Sequence, residues 1–274
     1  MTIVLGAKGQ LGSELRHLLG DKALYFGHTE LDLGDSSHLE SAIRELKPAF
    51  VINAAAYNAV DRAETESDSA LKINADAPGL LSKLSKELNF KFVHVSTDYV
   101  FDGESEIPYK ETDVINPLNV YGRSKAEGEK LVLDANPNSV IFRTAWVHAR
   151  NGKSFLNTVL RLAAEKKPMK VVSDSIGSPT WARDLAKVIL KSRDLSGIFH
   201  YSNEGSCSWY DFACAIKQLA HLDIDLSPIP SSAYPTPAKR PKFSLLDKTK
   251  IKDALGIQVP HWRESLELCL KERI

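Results

Sequence analysis

FVHVSTDYVFDG, residues 92–103, and NPLNVYGRSKAEGEKLV, residues 116–132, decide how the rest of the chain is read. The first begins as a short apolar run, Phe92, Val93 and Val95, and ends in hydroxyls and a carboxylate at Ser96, Thr97, Asp98 and Tyr99. A buried parallel strand has this composition where it delivers side chains to the carboxyl edge of a sheet. The second stretch carries helix punctuation. Asn116 suits a cap, Pro117 suits the first helical position, and Ala, Glu and Lys dominate the residues after them. Tyr121 and Lys125, four residues apart, then share one helix face.

That pairing matters for proton transfer. A tyrosine phenol is a poor acid near neutrality, with an unperturbed pKa of about 10. A nearby ammonium favours the phenolate, so Tyr121 beside Lys125 is a candidate to exchange a proton with a carbonyl or alcohol oxygen. Thr97, at the strand end, is placed to hydrogen-bond the same oxygen. An ordinary helix surface offers the same Tyr-x-x-x-Lys spacing, so the surrounding sequence has to decide between the two.

Upstream, Thr2 to Leu5 reads as a strand running into GAKGQLG at 6–12, then a helix closed by Gly20. Strand, glycine turn and helix in that order are the context a dinucleotide fingerprint needs. Gly6, Gly9 and Gly12 let the backbone approach a pyrophosphate, which the N–H groups and dipole of the new helix then face. The next strand, Ala23–Gly27, ends in Gly27-His28-Thr29 where an NAD-preferring site would carry an acid; the nearest are Glu30 and Asp32. Lys8 is placed to meet a 2′-phosphate, and both features lean toward NADPH or toward loose selectivity. Asp32-Leu33 reads as the adenine edge or, equally, as the cap of a helix over 35–46. Strand Phe50–Ile52 leads into NAAAYNAVDRAE, where Ala54, Ala55 and Ala56 permit close approach to a cofactor, or simply tight packing. A helix beginning in the acid-rich 61–68 segment and running to Leu88 completes the alternation before the quoted strand.

Strand–helix alternation through residue 145 predicts an α/β fold, a Rossmann-type doubly wound parallel sheet, with a smaller α+β C-terminal substrate lobe. The expected division gives a dinucleotide-binding domain at 1–147, completed by 178–201, and a substrate lobe from 148–177 and 202–274. Within the latter, Phe155–Lys166 and Pro179–Lys191 (starting from Ser178) read as helices, with Met169–Val172 and Gly197–Tyr201 as strands. Ser208–His221 comes next as a helix, and proline-rich 227–241 as an irregular binding loop. Trp209 and Trp262 are expected in the lobe's core.

The 274 residues carry 35 basic and 35 acidic side chains, a balance that argues against nucleic acid as a partner. Cys207, Cys214 and Cys269 form no metal-type or redox pair, so they read as reduced thiols. No apolar run reaches membrane-spanning length, and the first strand begins at Thr2. The expectation is a cytoplasmic protein with no membrane partner.

Together GAKGQLG, NAAAYNAVDRAE, STDYVFDG, PLNVYGRSKAEGE and FRTAWV resemble an extended short-chain dehydrogenase. With SDSIGSPTWARDLA, SWYDFA and AYPTPAKRPKFSLLD, the set resembles the dTDP-4-dehydrorhamnose reductase family along nearly the whole chain. The resemblance implies reduction of the C4 keto group of a dTDP-4-keto-6-deoxysugar by NADPH or NADH, in dTDP-rhamnose synthesis for cell-surface polysaccharide. It makes Tyr121 the proton donor, Lys125 the residue that lowers its pKa and holds the nicotinamide ribose, and Thr97 the group that orients the carbonyl. Gly9, Gln10 and Leu11 would meet the pyrophosphate, and Ala54–Ala56 the cofactor's ribose. Val60, Asp98, Tyr99 and Trp146 would line the sugar site, and Arg240 or Lys239 would reach the substrate's pyrophosphate. Asn58 and His148 depart from the family's pattern, where Thr and an aromatic residue are expected. Some members dimerise around magnesium, for which Glu14 is a candidate ligand, although a lone helix glutamate is more often a solvated surface residue. Two alternatives stay open: a reductase of another nucleotide 4-ketosugar, and a non-catalytic NADP-binding subunit like the regulatory subunit of methionine adenosyltransferase. Intact Thr97, Tyr121 and Lys125 favour the enzyme.

Overall fold

The computed structural model describes residues 1–272. In chain order the first half contains β1 (Thr2–Leu5), α1 (Gln10–Leu19), β2 (Ala23–Phe26), α2 (Ser36–Leu46), β3 (Phe50–Asn53), α3 (Val60–Ala63), α4 (Ser67–Leu71), α5 (Ala77–Glu87), β4 (Lys91–Thr97), α6 (Val120–Ala135) and β5 (Val140–Thr144). The second half contains β6 (Val147–His148), α7 (Phe155–Ala164), β7 (Met169–Val172), β8 (Ile176–Gly177), β9 (Thr180–Trp181), α8 (Ala182–Lys191), β10 (Gly197–His200), β11 (Cys207–Ser208), α9 (Trp209–Leu219), β12 (Leu226–Ile229), α10 (Thr249–Leu255) and α11 (Trp262–Lys271).

Six strands form one parallel sheet in the order β10-β5-β4-β3-β1-β2. Alternate residues of each strand feed opposite faces. Val4, Ile52, Val93 and Phe142 pack under α1 and α8, while Ile3, Leu5, Val51, Phe92 and Ile141 pack under α2 and α5. Burial on both faces is why these strands read as near-continuous apolar runs. The chain places β2 on one side of β1 and β3 on the other, so the order reverses at β1. The loops leaving β1 and β3 therefore splay apart at the carboxyl edge, where doubly wound sheets bind ligands.

A second core gathers Leu156, Val171, Trp181, Phe212, Ala215, Trp262 and Leu266 between α7, α9 and α11. Trp262 is buried there as expected, whereas Trp209 packs on its margin and is only partly buried.

Several boundaries differ from the sequence reading. The cap of α6 is Asn119, whose side chain accepts from Gly122 N at 2.7 Å; Asn116 instead donates to Asp102 from the preceding loop. Asp35, not Asp32, caps α2. The segment after Ser178 first forms β9 beside β6, and α8 starts only at Ala182. Proline-rich 227–241 is partly regular: β12 pairs parallel with β7, leaving Pro228 at an edge where its missing N–H costs little. Residues 72–76, between α4 and α5, form a π-turn with Asn74 inside it, a feature that hydrophobic spacing does not announce. Among the described residues no helix is long and apolar enough to cross a membrane.

Candidate active site

The nucleotide end is built from backbone. Gly6 has φ +81°, and a Cβ there would come within 2.6–2.8 Å of Ala54 and Ala55. The loops after β1 and β3 thus touch, and only glycine permits it. Gly9 precedes α1 without any side-chain cap, so the first N–H groups of that helix are left for a ligand. The Gln10 side chain turns away and donates to Lys153 O at 2.9 Å. Leu11 and Gly12 are buried, as is Leu33, which belongs to the core. Of the two residues read as an adenine edge, only Asp32 is open to solvent; it accepts from Gly34 N at 2.8 Å and lies 3.2 Å from His28. Ala54, Ala55 and Ala56 are partly exposed at the carboxyl edge. These features fit a dinucleotide pyrophosphate and its ribose.

The end of β2 carries more acid than its sequence suggests. Glu30 folds back to accept from Gly27 N at 2.9 Å, and Lys8 donates to both Glu30 and Thr29 at 2.9 Å. Hydrogen bonds from Lys8 and Thr29 hold the Glu30 carboxyl down at about 2. Lys8 is therefore already engaged, which weakens the lean toward NADPH.

Tyr121 and Thr97 meet where α6 crosses the end of β4. Gly122 makes this approach possible: a Cβ there would stand 2.2 Å from Tyr99 O. Tyr121 lies edge-on to Tyr99, with ring centroids 5.7 Å apart. Burial pushes the Tyr121 hydroxyl up to about 12, opposed by the Thr97 hydroxyl, which favours its ionised form. Lys125 is not among the groups that act on this hydroxyl. Lys125 is 1 % exposed and points into the protein, donating to Val95 O at 2.6 Å and lying 3.1 Å from His94 Nε2. Burial brings its amine down to about 7, against the opposing pull of Glu129. Glu129 is held by Arg143 and Ser96 in a buried cluster at 2.5–3.1 Å.

Beyond Tyr99 lies a cavity of about 810 Å³, lined by Tyr99, Trp146, Trp209, Tyr234, Lys239 and Arg240 among others. That is ample for a small-molecule ligand. Trp146 takes a left-handed backbone, φ 48°, and its indole stacks on Trp209 with centroids 3.6 Å apart. A bulky residue holds such a conformation only when its surroundings enforce it. Arg240 makes a two-pronged bridge to Asp61, at 3.1 and 2.8 Å, which ties the proline-rich segment to α3. Val60, Thr97 and Asp98 do not line the cavity: Val60 opens α3, while Thr97 and Asp98 are buried at the end of β4. Burial raises the Asp98 carboxyl to about 6, despite hydrogen bonds from the Ser244 and Thr97 hydroxyls.

Sequence reasoning missed Asn53, His94, Asp61, Asn74 and Trp209. Asn74 bridges the loop after β3 to α6, accepting from Tyr57 N at 2.8 Å and donating to Ser124 Oγ at 3.0 Å. Polar residues inside apolar runs were the available signal for Asn53 and His94. Glu14, weighed for magnesium and as a surface residue, is 4 % exposed and accepts from Arg183 at 2.6 Å. Among the described residues no group of three or more His, Cys, Asp or Glu is placed to hold a metal ion.

Comparison with known proteins agrees with this geometry. The family described as RmlD substrate binding domain matches residues 1–274. A dTDP-4-dehydrorhamnose reductase of Burkholderia thailandensis is 41% identical, the match covering 98% of each chain. A probable dTDP-4,6-dihydroxy-2-methyloxan-3-one 4-ketoreductase of Streptomyces antibioticus is 38% identical, over 96% of this chain and 92% of its own. The crystal structure of a dTDP-4-dehydrorhamnose reductase of Bacillus anthracis in complex with NADP superposes with a TM-score of 0.95 at 36% identity, covering 99% of both chains. By sequence and by fold, the chain belongs to the RmlD substrate binding domain family.

Proposed function

We propose that the protein reduces the C4 keto group of dTDP-4-dehydro-L-rhamnose to give dTDP-L-rhamnose, with NADPH or NADH as reductant. The bound nicotinamide supplies the hydride. Tyr121 gives its proton to the carbonyl oxygen, for which a hydroxyl that stays protonated to high pH is in the right state. Thr97 orients and polarises the same oxygen. Lys125 leaves its bond to Val95 O to reach the nicotinamide ribose, and the bare N-terminus of α1 receives the pyrophosphate. Tyr99, Trp146 and Arg240 hold the sugar nucleotide in the cavity they line.

The observation that carries this reading is the hydrogen bond between the Thr97 and Tyr121 hydroxyls, next to Tyr99, which lines an open cavity of about 810 Å³. The 38% identity to a ketoreductase named for a different dTDP-sugar favours a second substrate within the same chemistry. The test monitors loss of reduced nicotinamide absorbance with enzymatically generated dTDP-4-dehydrorhamnose, NADPH and NADH in parallel. Sugar-dependent oxidation is expected with both cofactors, given the engaged Lys8–Glu30 pair. Tight cofactor binding without oxidation would reject this sugar and send the search to other dTDP-4-ketosugars.

A further inference from the structure

Gly27 follows β2 directly, at the position where a dinucleotide site that prefers NADH carries an acid. It lies beside the glycine loop, because Gly6 N and Ala7 N both donate to Phe26 O, at 2.9 and 3.0 Å. Having no side chain, Gly27 offers the adenosine ribose nothing to bond. The loop after it supplies the missing group. Glu30 turns back until its Oε2 accepts from Gly27 N at 2.9 Å. A Cβ on Gly27 would lie 2.7 Å from that same oxygen, close to the separation between an aspartate's own oxygens and its Cβ. A carboxylate thus stands at the strand end although the strand itself carries none.

Lys8 completes the arrangement. Its stem crosses Gly27, with Cδ 3.1 Å and Cε 3.2 Å from the same Cβ position, and its ammonium donates to Glu30 Oε1 and Thr29 Oγ1 at 2.9 Å each. A side chain at position 27 would meet both residues, so glycine there is what lets the pair close over the strand end. Asp32, another acid of this loop, is turned elsewhere, accepting from Gly34 N at 2.8 Å and lying 3.2 Å from His28. The Glu30 and Lys8 side chains are 45% and 67% exposed. An ion pair this open contributes little to stability, and both groups are free to exchange partners with a bound ligand.

We propose that Glu30 is the cofactor-selecting residue, a carboxylate supplied by the loop in place of an acid on β2, with Lys8 as its movable counter-ion. The proposal rests on the reading of the glycine loop as a dinucleotide site. An ionised carboxylate accepts hydrogen bonds and donates none, so it suits the 2′-hydroxyl of NADH. The 2′-phosphate of NADPH has the same sign of charge, and Glu30 opposes it. Lys8 offsets that opposition by passing from Glu30 to the phosphate. One loop therefore admits both dinucleotides, the acid favouring one and the lysine the other, and removing either tilts the balance in opposite directions.

The test is titration of the protein with NADH and with NADPH, each followed by its own fluorescence and without any sugar. Glu30→Gln keeps an acceptor for Gly27 N while removing the charge. It should weaken NADH binding about tenfold or more and leave NADPH as tight as in wild type or tighter. Lys8→Met leaves the Glu30–Gly27 bond in place. It should weaken NADPH binding about tenfold or more while NADH stays within about twofold. A Glu30→Gln variant that binds both dinucleotides as wild type does, or loses both equally, would leave Glu30 a turn residue and overturn the proposal. So would a Lys8→Met variant that loses both equally. No turnover is read, so a failed sugar assay leaves these results standing, whereas wild-type protein that binds neither dinucleotide would reject the cofactor site itself.

Discussion

Gly122→Ala is the substitution that most directly tests how the site is assembled. The added Cβ would lie 2.2 Å from Tyr99 O, whereas ordinary contact begins near 3.4 Å. The obstacle is backbone, held where β4 ends, so α6 and the Tyr99 turn must separate by roughly 1 Å. Gly122 N is also fixed by the Asn119 cap at 2.7 Å, so the helix cannot slide aside freely. Tyr121 is the adjacent residue and moves with it, away from Thr97. A displacement of about 1 Å at a reacting group costs on the order of 100-fold in rate, while overpacking of this kind costs about 1–3 kcal/mol of stability. The variant should therefore stay folded and lose about two orders of magnitude in kcat. Its affinity for NADPH, measured by fluorescence titration, should change little, because the loops after β1 and β3 are untouched. A folded variant with kcat within about twofold of wild type would refute the reasoning, since the close approach would then not be what sets the catalytic distance.

Tyr121→Phe should lose about 10²–10⁴-fold in kcat while keeping its cofactor affinity, as expected of a general acid; unchanged turnover removes Tyr121 from the role. His148→Phe addresses pH. His148 is 1 % exposed, and burial brings it down to about 4 against a weaker opposing influence of the Trp146 backbone. Its folded-state pKa is depressed, so the stability it allows is present above about 6.5 and drains as the pH falls toward 4. Between pH 7 and 5 the wild type should lose about 2 kcal/mol that the phenylalanine variant retains, measured by urea unfolding. Parallel pH dependence of the two proteins would count against that assignment.

How far the sequence reveals this molecule depends on whether a signal is local. The glycine loop after β1 and the buried strand ending in Ser96-Thr97 are local patterns, and each lies where it is expected, as does the helix that carries Tyr121 and Lys125. Asn116 and Asn119 both precede a plausible first turn, and only the approach of Gly122 to Tyr99 decides that Asn119 caps the helix. The π-turn at 72–76 answers a tertiary demand: a Cβ on Gly128 would stand 2.0 Å from Asn74 O, so α6 lies directly on that turn. Glu30 stands beyond the end of β2 in the sequence, yet a tight loop returns its carboxylate to Gly27. Helical spacing places Lys125 one turn beyond Tyr121 on α6. Its inward turn depends on His94, 31 residues away, a partner that no spacing rule connects to it.

The position of β10 bears on how the chain is made. Its partner β5 ends at Thr144, but β10 arrives only at residues 197–200. A ribosome that has released the first 150 residues or so has therefore exposed five strands of the sheet, the outer one of which offers a bare hydrogen-bonding rim. Phe199 and Tyr201 are still missing from beneath it, and so is His200, which lies against Arg143 and Tyr109. Synthesis at about 5–20 residues per second leaves that rim unpaired for several seconds. During that interval nascent chains are most prone to join edge to edge, and a chaperone that shields β5 would gain the most yield.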